Sequence, residues 1–230
     1  MPATGPPSAR VEHPLFARLY PRQRAVADRR GAEEHRRRLL AGLAGRVVEV
    51  GAGDGACFAL YPEAVTEVVA VEPEPRLRAL AERAAELAPV PVRVVDAVAE
   101  DLPLEDGSMD AAVVSLVLCS VPDQARALAE IRRVLRPGGE LRFYEHVLPR
   151  RQPLRLLLEL ADRSTLWPRI AGGCHPARET ESAIERAGFE VDRCERFGFR
   201  ASALLPAIPH ILGSARARPD RERTNAGGSP

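Results

Sequence analysis

The chain has 230 residues, with 33 basic against 32 acidic side chains, a net charge of +1 and 45% apolar residues. That is enough apolar mass for the core of one α/β domain with additions, and the near-neutral balance gives no general attraction to nucleic acid. No apolar run approaches the ~20 residues that cross a bilayer, and residues 1–7 lack the basic head and apolar segment of a secretory signal, so the sequence reads as cytoplasmic, without stable membrane insertion.

Residues 1–10 are rich in Pro and Gly and read as a disordered tail. A helical region over 11–44 follows, broken near Pro21 and Gly31, and its run His35-Arg36-Arg37-Arg38 reads as a solvated face. Strands then alternate with helices: strand 46–50, helix 54–60, strand 66–71, helix 75–88 with Leu77, Leu80, Ala84 and Leu87 on its inner face, strand 91–95 and strand 110–117. Helix 123–135 buries Ala127, Leu128, Ile131 and Leu135, and Pro137-Gly138-Gly139 ends it before strand 140–146. This alternation predicts βαβ units and a parallel sheet spanning 45–147. Residues 148–217 form a substrate-side region: an apolar helical insert over 153–170 (Leu154, Leu156, Leu157, Leu158, Leu160, Trp167), a helix over 177–187, and strands at 189–197 and about 209–214. The segment 218–230 reads as a loose tail.

The chemistry concentrates at the first two strand ends. Arg46-Val47-Val48-Glu49-Val50 runs into Gly51-Ala52-Gly53-Asp54-Gly55, a loop whose glycines allow positive φ and close backbone approach by a nucleotide-like group. Glu72, 21 residues after Gly51, closes the second strand at the distance from which an acid takes ribose hydroxyls. Gly51, Gly53 and Ala56 also satisfy the dinucleotide fingerprint, so an NAD(P)-binding oxidoreductase is an alternative. Against it, Glu49 and Asp54 would repel a pyrophosphate, and Glu49 suits a ligand carrying positive charge and an amine. The chain also has no lysine, which rules out a Tyr-x-x-x-Lys dyad, lysine Schiff-base chemistry and a P-loop lysine. The four cysteines, Cys57, Cys119, Cys174 and Cys194, include no C-x-x-C pair, so neither a disulfide framework nor a metal site is expected.

Glu49-Val-Gly-Ala-Gly-Asp-Gly55, Val71-Glu72-Pro73, Asp106-Gly-Ser-Met-Asp110 and Val134-Leu-Arg-Pro-Gly-Gly139 together resemble the class I S-adenosylmethionine-dependent methyltransferases. The resemblance implies a Rossmann-like, doubly wound, mostly parallel seven-stranded sheet with a terminal antiparallel strand, preceded by N-terminal helices. It implies S-adenosyl-L-methionine as cofactor, held by Glu49, Gly51, Gly53, Gly55, Glu72 and Pro73, with Ser115 facing the methionine moiety. Counting back from Leu102-Pro103 puts Val98 where the family's adenine-binding Asp stands, which leaves Asp96 or the Ala99 amide for that contact.

A narrower likeness, in Ser115-Leu-Val-Leu-Cys-Ser-Val121, Phe143-Tyr-Glu-His-Val147 and Gly172-Gly-Cys-His-Pro-Ala-Arg-Glu-Thr180, is to the thiol S-methyltransferases of the mammalian microsomal methyltransferase-like group and their bacterial relatives. Two departures stand out: a polar, Arg-rich start where the mammalian proteins have a membrane-associating segment, and Glu72 where they have Asp. The likeness implies a small-molecule acceptor, with sulfur favoured; O-, N- or C-methylation in specialised metabolism is the alternative. Candidates for catalytic work are His146 after the fifth strand, His175 in a loop that can cover the pocket, and Cys119 after the fourth strand; Cys174, next to His175 in the chain, reads as similar to Cys119. For each, a purely structural reading stands alongside. The insert leucines and Trp167 form either a lid over the acceptor or a helix packed on the sheet edge. Nucleic acid is not expected as a substrate, because Ser115-Leu-Val-Leu occupies the place of an Asn-Pro-Pro-Tyr motif. The sequence assigns no oligomeric state.

Overall fold

The structure, a computed structural model, describes residues 14–149, 152–163, 173–175, 177–203 and 206–218. Seven strands form one sheet in the order β3-β2-β1-β4-β5-β7-β6. They are β1 (Gly45–Val50), β2 (Val65–Val71), β3 (Val92–Val95), β4 (Met109–Ser115), β5 (Leu135–His146), β6 (Phe189–Phe199) and β7 (Ile208–Ala217). β1 to β5 pair in parallel, and β7 runs antiparallel to both β5 and β6. The central strands are largely apolar because both faces are covered. On one face Val48, Val50, Val69, Val71, Ala112 and Val114 pack with Leu128 and Ile131 of α4 (Gln124–Val134) and Ile184 of α6 (Thr180–Arg186). On the other, Val47, Val68, Ala70, Ala111 and Val113 pack with Leu39 and Leu40 of α2 (Ala32–Leu40) and Ala81 of α3 (Pro75–Ala85).

Several sequence expectations are corrected. Pro21 does not break the first helix: α1 runs unbroken over Pro14–Asp28. The bond lost at the proline is offset by the helix's outside anchors, the burial of Ala17 and the Arg24–Asp54 ion pair. The helix expected over 54–60 shrinks to one 3-10 turn, Phe58–Leu60. Gly51, Gly53 and Gly55 all take positive φ, and Pro62 holds Tyr61 extended, so no room for a regular helix remains. The inner face of α3 is Leu77 and Ala81, not a stripe reaching Leu87, which lies past the helix end and is 85% exposed. β5 begins at Leu135 rather than 140, because Met109 pairs with Leu135 before the ladder slips and resumes at Ala111–Glu140. The slip takes up Pro137-Gly138-Gly139, where Gly138 has φ +76°. α6 starts at Thr180, later than expected. His35 and Arg36 do not belong to a solvated face: Arg36 is buried against Asp28, and the His35 ring packs on Tyr144 and Phe197. The two tails and Trp167 lie outside the described residues. Of the apolar insert, the structure describes α5 (Leu154–Arg163), on which Leu156 and Leu160 are exposed and Leu158 is buried.

β4 ends two residues earlier than the expected 117, and the cause bears on the site. Leu116 takes φ +61°, rare for a side chain of this size. The carboxylate of Glu145 holds the turn by accepting the backbone N–H groups of Val117 (2.9 Å) and Leu118 (3.0 Å).

Candidate active site

The sheet order reverses between β1 and β4, and a cleft of about 880 Å³, open mouth included, lies at the carboxyl ends of these strands. This is where ligands bind in open α/β sheets. Of the residues expected to hold a cofactor, Gly51, Gly53, Glu72, Pro73, Ala99 and Ser115 line the cleft.

The glycine loop is folded back on β2: the N–H groups of Gly51 (2.8 Å) and Ala52 (3.0 Å) both donate to the Val71 carbonyl. A Cβ on Gly51 would lie 2.5 Å from Val117 Cγ2, and one on Gly53 would meet the Tyr20 ring at 3.2 Å. Side chains at these positions would fill the cradle. Glu72 closes the loop from the other side. One of its carboxylate oxygens accepts the Gly53 N–H (2.8 Å) and the other the Glu74 N–H (2.9 Å). Burial pushes the Glu72 carboxyl up to about 7, against the pull of these two backbone donors. Each oxygen keeps one free lone pair at the cleft wall.

Three expected cofactor residues lie elsewhere. Glu49 is buried outside the cleft lining, where it accepts the Tyr61 hydroxyl proton at 2.8 Å; burial raises its carboxyl to about 7. Alternation puts it on the face of β1 that carries Val47, away from the cleft. Gly55 supports the loop from beneath, its Cβ position 2.7 Å from Ala84. Asp96 is largely exposed and ion-paired with Arg78 at 3.0 Å, so Val98 and Ala99, not Asp96, face the cleft after β3.

Phe16 and Tyr20, one helical turn apart on α1, also line the cleft. Sequence reasoning missed them, although two aromatics spaced i, i+4 on one helix are the signal. Arg24, one turn further on, reaches the buried carboxylate of Asp54 at 3.0 Å and so ties α1 over the glycine loop. Glu145 was also missed; an acid inside the apolar run of β5 was its mark. It is fully buried, and burial raises its carboxyl to about 7.

At the β4–β5 end, three expected groups converge. Cys119 Sγ lies 3.9 Å from His146 Nδ1, and the ligating atoms of Cys119, His146 and Cys174 all lie within 4.8 Å of one another. The spacing of the cysteines, with no C-x-x-C pair, gives no sign of this proximity, which the fold alone creates. Sharing a proton with Cys174 and burial push the Cys119 thiol up, while the bonds from Cys119 and His146 draw the Cys174 thiol down. The His146 ring packs on His210, centroids 4.4 Å apart, and burial with the His146 charge lowers His210 to about 3. His175 sits outside the cluster, its Nδ1 3.1 Å from an Asp162 carboxylate oxygen.

The fold, the glycine cradle and the acid at the end of β2 together define a Rossmann-like nucleoside-binding enzyme. Residues 48–143 match the methyltransferase domain family. Over 181 residues the chain is 39% identical to mouse thiol S-methyltransferase TMT1B, and 36% identical to human thiol S-methyltransferase TMT1A; each match covers 76% of this chain and 73% of the relative. Among solved structures, a SAM-dependent methyltransferase from Thermotoga maritima superposes with a TM-score of 0.62 at 25% identity, over 89% of this chain and 99% of that one. The chain belongs to the class I S-adenosylmethionine-dependent methyltransferases. It is a transferase whose methyl donor is S-adenosylmethionine. Among the described residues, no helix is long and apolar enough to cross a membrane.

Proposed function

We propose that this methyltransferase S-methylates a small, apolar thiol. The observation that carries the reading is the extent of the match to the thiol S-methyltransferases: 181 aligned residues exceed the cofactor-binding core at 45–147, so the likeness continues into the acceptor side. We assign the acceptor side to residues 148–217.

The cleft suits the cofactor: two glycines at which a side chain would fill the cradle stand opposite an acid with a free lone pair on each oxygen. When bound, the cofactor supplies a methyl group already activated on a sulfonium. In this reading Glu72 accepts the two ribose hydroxyls, the Gly51–Gly53 backbone holds the amino-acid end beside Ser115, and the Ala99 amide faces the adenine. Phe16 and Tyr20 close the cleft from above and exclude water. What remains for the protein is to align the acceptor and to ease loss of its proton. A thiol with pKa near 8.5 is already partly ionised at neutral pH, so it asks less of a base than an alcohol does. The His146–Cys119–Cys174 group is assigned this task, and His175, held by Asp162, flanks it.

The test is turnover of labelled S-adenosylmethionine with matched small thiols, phenols and amines, read by mass spectrometry. A kcat/KM for thiols at least ~10-fold above the others, about 1.4 kcal/mol in transition-state stabilisation, supports the reading. Preference for a phenol or amine overturns it.

A further inference from the structure

We propose that Cys119, Cys174 and His146 form a binding site for a soft divalent metal, zinc by its chemistry, with the fourth coordination position left for the acceptor's sulfur. The inference rests on the thiol reading only for that last occupant; the metal site itself stands on the geometry. A tetrahedral ion with metal–sulfur bonds of about 2.3 Å and a metal–nitrogen bond of about 2.0 Å separates its donor atoms by roughly 3.5 to 3.8 Å. Cys119 Sγ and His146 Nδ1 are 3.9 Å apart, and all three donors fall within 4.8 Å, so closing on an ion takes only small side-chain adjustments. Two thiolates, one neutral imidazole and an exchangeable fourth ligand are the donor set of a catalytic rather than a closed structural zinc site. Two negative thiolates also neutralise a divalent ion, which suits a position where Cys119 is buried.

The scaffold holds the three donors in place before any ion arrives. The His175 N–H donates to the Cys119 carbonyl at 2.8 Å, pinning the loop that carries Cys174 against the loop after β4. Arg178 clamps the same junction, donating to the carbonyls of Leu118 and Val121 at 2.7 Å each. Glu145 fixes the turn at Val117 and Leu118 that delivers Cys119. His146 projects from the end of β5, its ring backed by His210. Ser120, next to Cys119, lines the cofactor cleft, which places the open coordination position at the boundary between cofactor and acceptor. A thiol entering there displaces the exchangeable ligand, forms a metal–sulfur bond and releases its proton to solvent, so that it is held as the thiolate whatever its free pKa.

Reduced, metal-free full-length protein titrated with cobalt(II) tests the site directly. The expected result is one equivalent bound, with the intense visible bands of tetrahedral cobalt and a thiolate-to-cobalt charge-transfer band, displaced by one equivalent of zinc. Cys174→Ser, a loop position whose loss spares the core, should weaken cobalt binding at least ~100-fold. Cys119→Ser should do the same and His146→Ala at least ~10-fold, the least that losing even an outer-shell partner costs, while Cys194→Ser binds as the native protein does. Weak octahedral spectra, or unchanged affinity in Cys174→Ser, overturn the site. Adding a small thiol to the cobalt protein should strengthen the charge-transfer band; an unchanged band overturns the open position. Metal-free protein that methylates thiols at the full rate removes the metal's role and leaves the thiol reading intact. Stoichiometric cobalt binding without any thiol turnover does the reverse.

Discussion

Replacing Glu72 with Ala separates cofactor affinity from fold stability. Glu72 accepts two backbone N–H groups and has one lone pair per oxygen left for the ribose hydroxyls. Hydrogen bonds to a charged acceptor contribute about 1.5–3 kcal/mol each. Two lost at the lower end amount to about 3 kcal/mol, roughly a hundredfold in Kd for S-adenosylhomocysteine. The ligand-free protein should change little, because a second effect opposes the loss of the backbone bonds. With those bonds in place, burial still holds this carboxyl at about 7 instead of 4.5; the substitution removes this net penalty of roughly 3 kcal/mol on the charged form and leaves two backbone N–H groups unpaired, a cost of similar size. At a ligand concentration about 100 times the native Kd, the native protein gains about 2.7 kcal/mol and the variant only about 0.4. For a chain of this size that is a thermal shift of roughly 5–11 °C against about 1 °C. Calorimetric titration and a thermal-shift series give both numbers. Affinity within threefold of the native protein would refute the ribose assignment, and collapse of the ligand-free variant would refute the claimed balance of effects.

Three further outcomes are expected. The carboxyls of Glu49, Glu72 and Glu145 sit near 7 in the fold, each raised first by burial, against about 4.5 unfolded. Between those values these three carboxyls bind more protons in the folded state, and they outweigh the lowered His210 and Cys174, which pull the other way, so the unliganded protein should lose stability modestly as pH rises from 5 to 7. Affinity for S-adenosylhomocysteine should instead increase across pH 7, since hydroxyls donate to the ionised Glu72; parallel melting and binding series show whether the trends oppose. Gly51→Ala adds a Cβ 2.5 Å from Val117 Cγ2 at φ +70°, and should cost about 2–4 kcal/mol of stability from backbone strain and overpacking. Val117→Ala in that background should recover part of it in denaturant unfolding, and a loss under 0.5 kcal/mol would contradict the close approach. Arg24→Ala strips the partner from the buried Asp54 carboxylate and should cost about 1–2 kcal/mol, reduced because Arg24 is partly solvated. Adding Asp54→Asn should restore most of this, and no recovery would mean that the ion pair does not hold α1.

The parallel core was legible because its signals are local: apolar runs of strand length and glycines at strand ends. Glu72 and the glycine loop could be placed for the same reason, since both lie at strand ends in one βαβ unit. The direction in which Glu49 points was misjudged, because the same spacing from the glycines fits either face of β1 until the flanking helices select one. The choice between Asp96 and the Ala99 amide stayed open in the sequence because the Asp96–Arg78 ion pair is a tertiary event. The convergence of Cys119, His146 and Cys174 was invisible in a sequence that separates them by 27 and 28 residues. It depends on the turn that buried Glu145 imposes after β4; the acid inside the apolar run of β5 marks the residue but not the turn that it holds.

β7 is the last strand in chain order, yet it sits inside the sheet between β5 and β6. On a ribosome, the edge of β5 therefore waits with unmatched backbone groups until residues 208–217 emerge, and β6, already synthesised, has no neighbour to dock on before then. The same strand brings His210 beneath His146. A nascent or truncated chain short of β7 thus lacks both the seam of the sheet and the backing of its acceptor-side histidine, so emergence of residues 208–217 and assembly of that end of the site are one event.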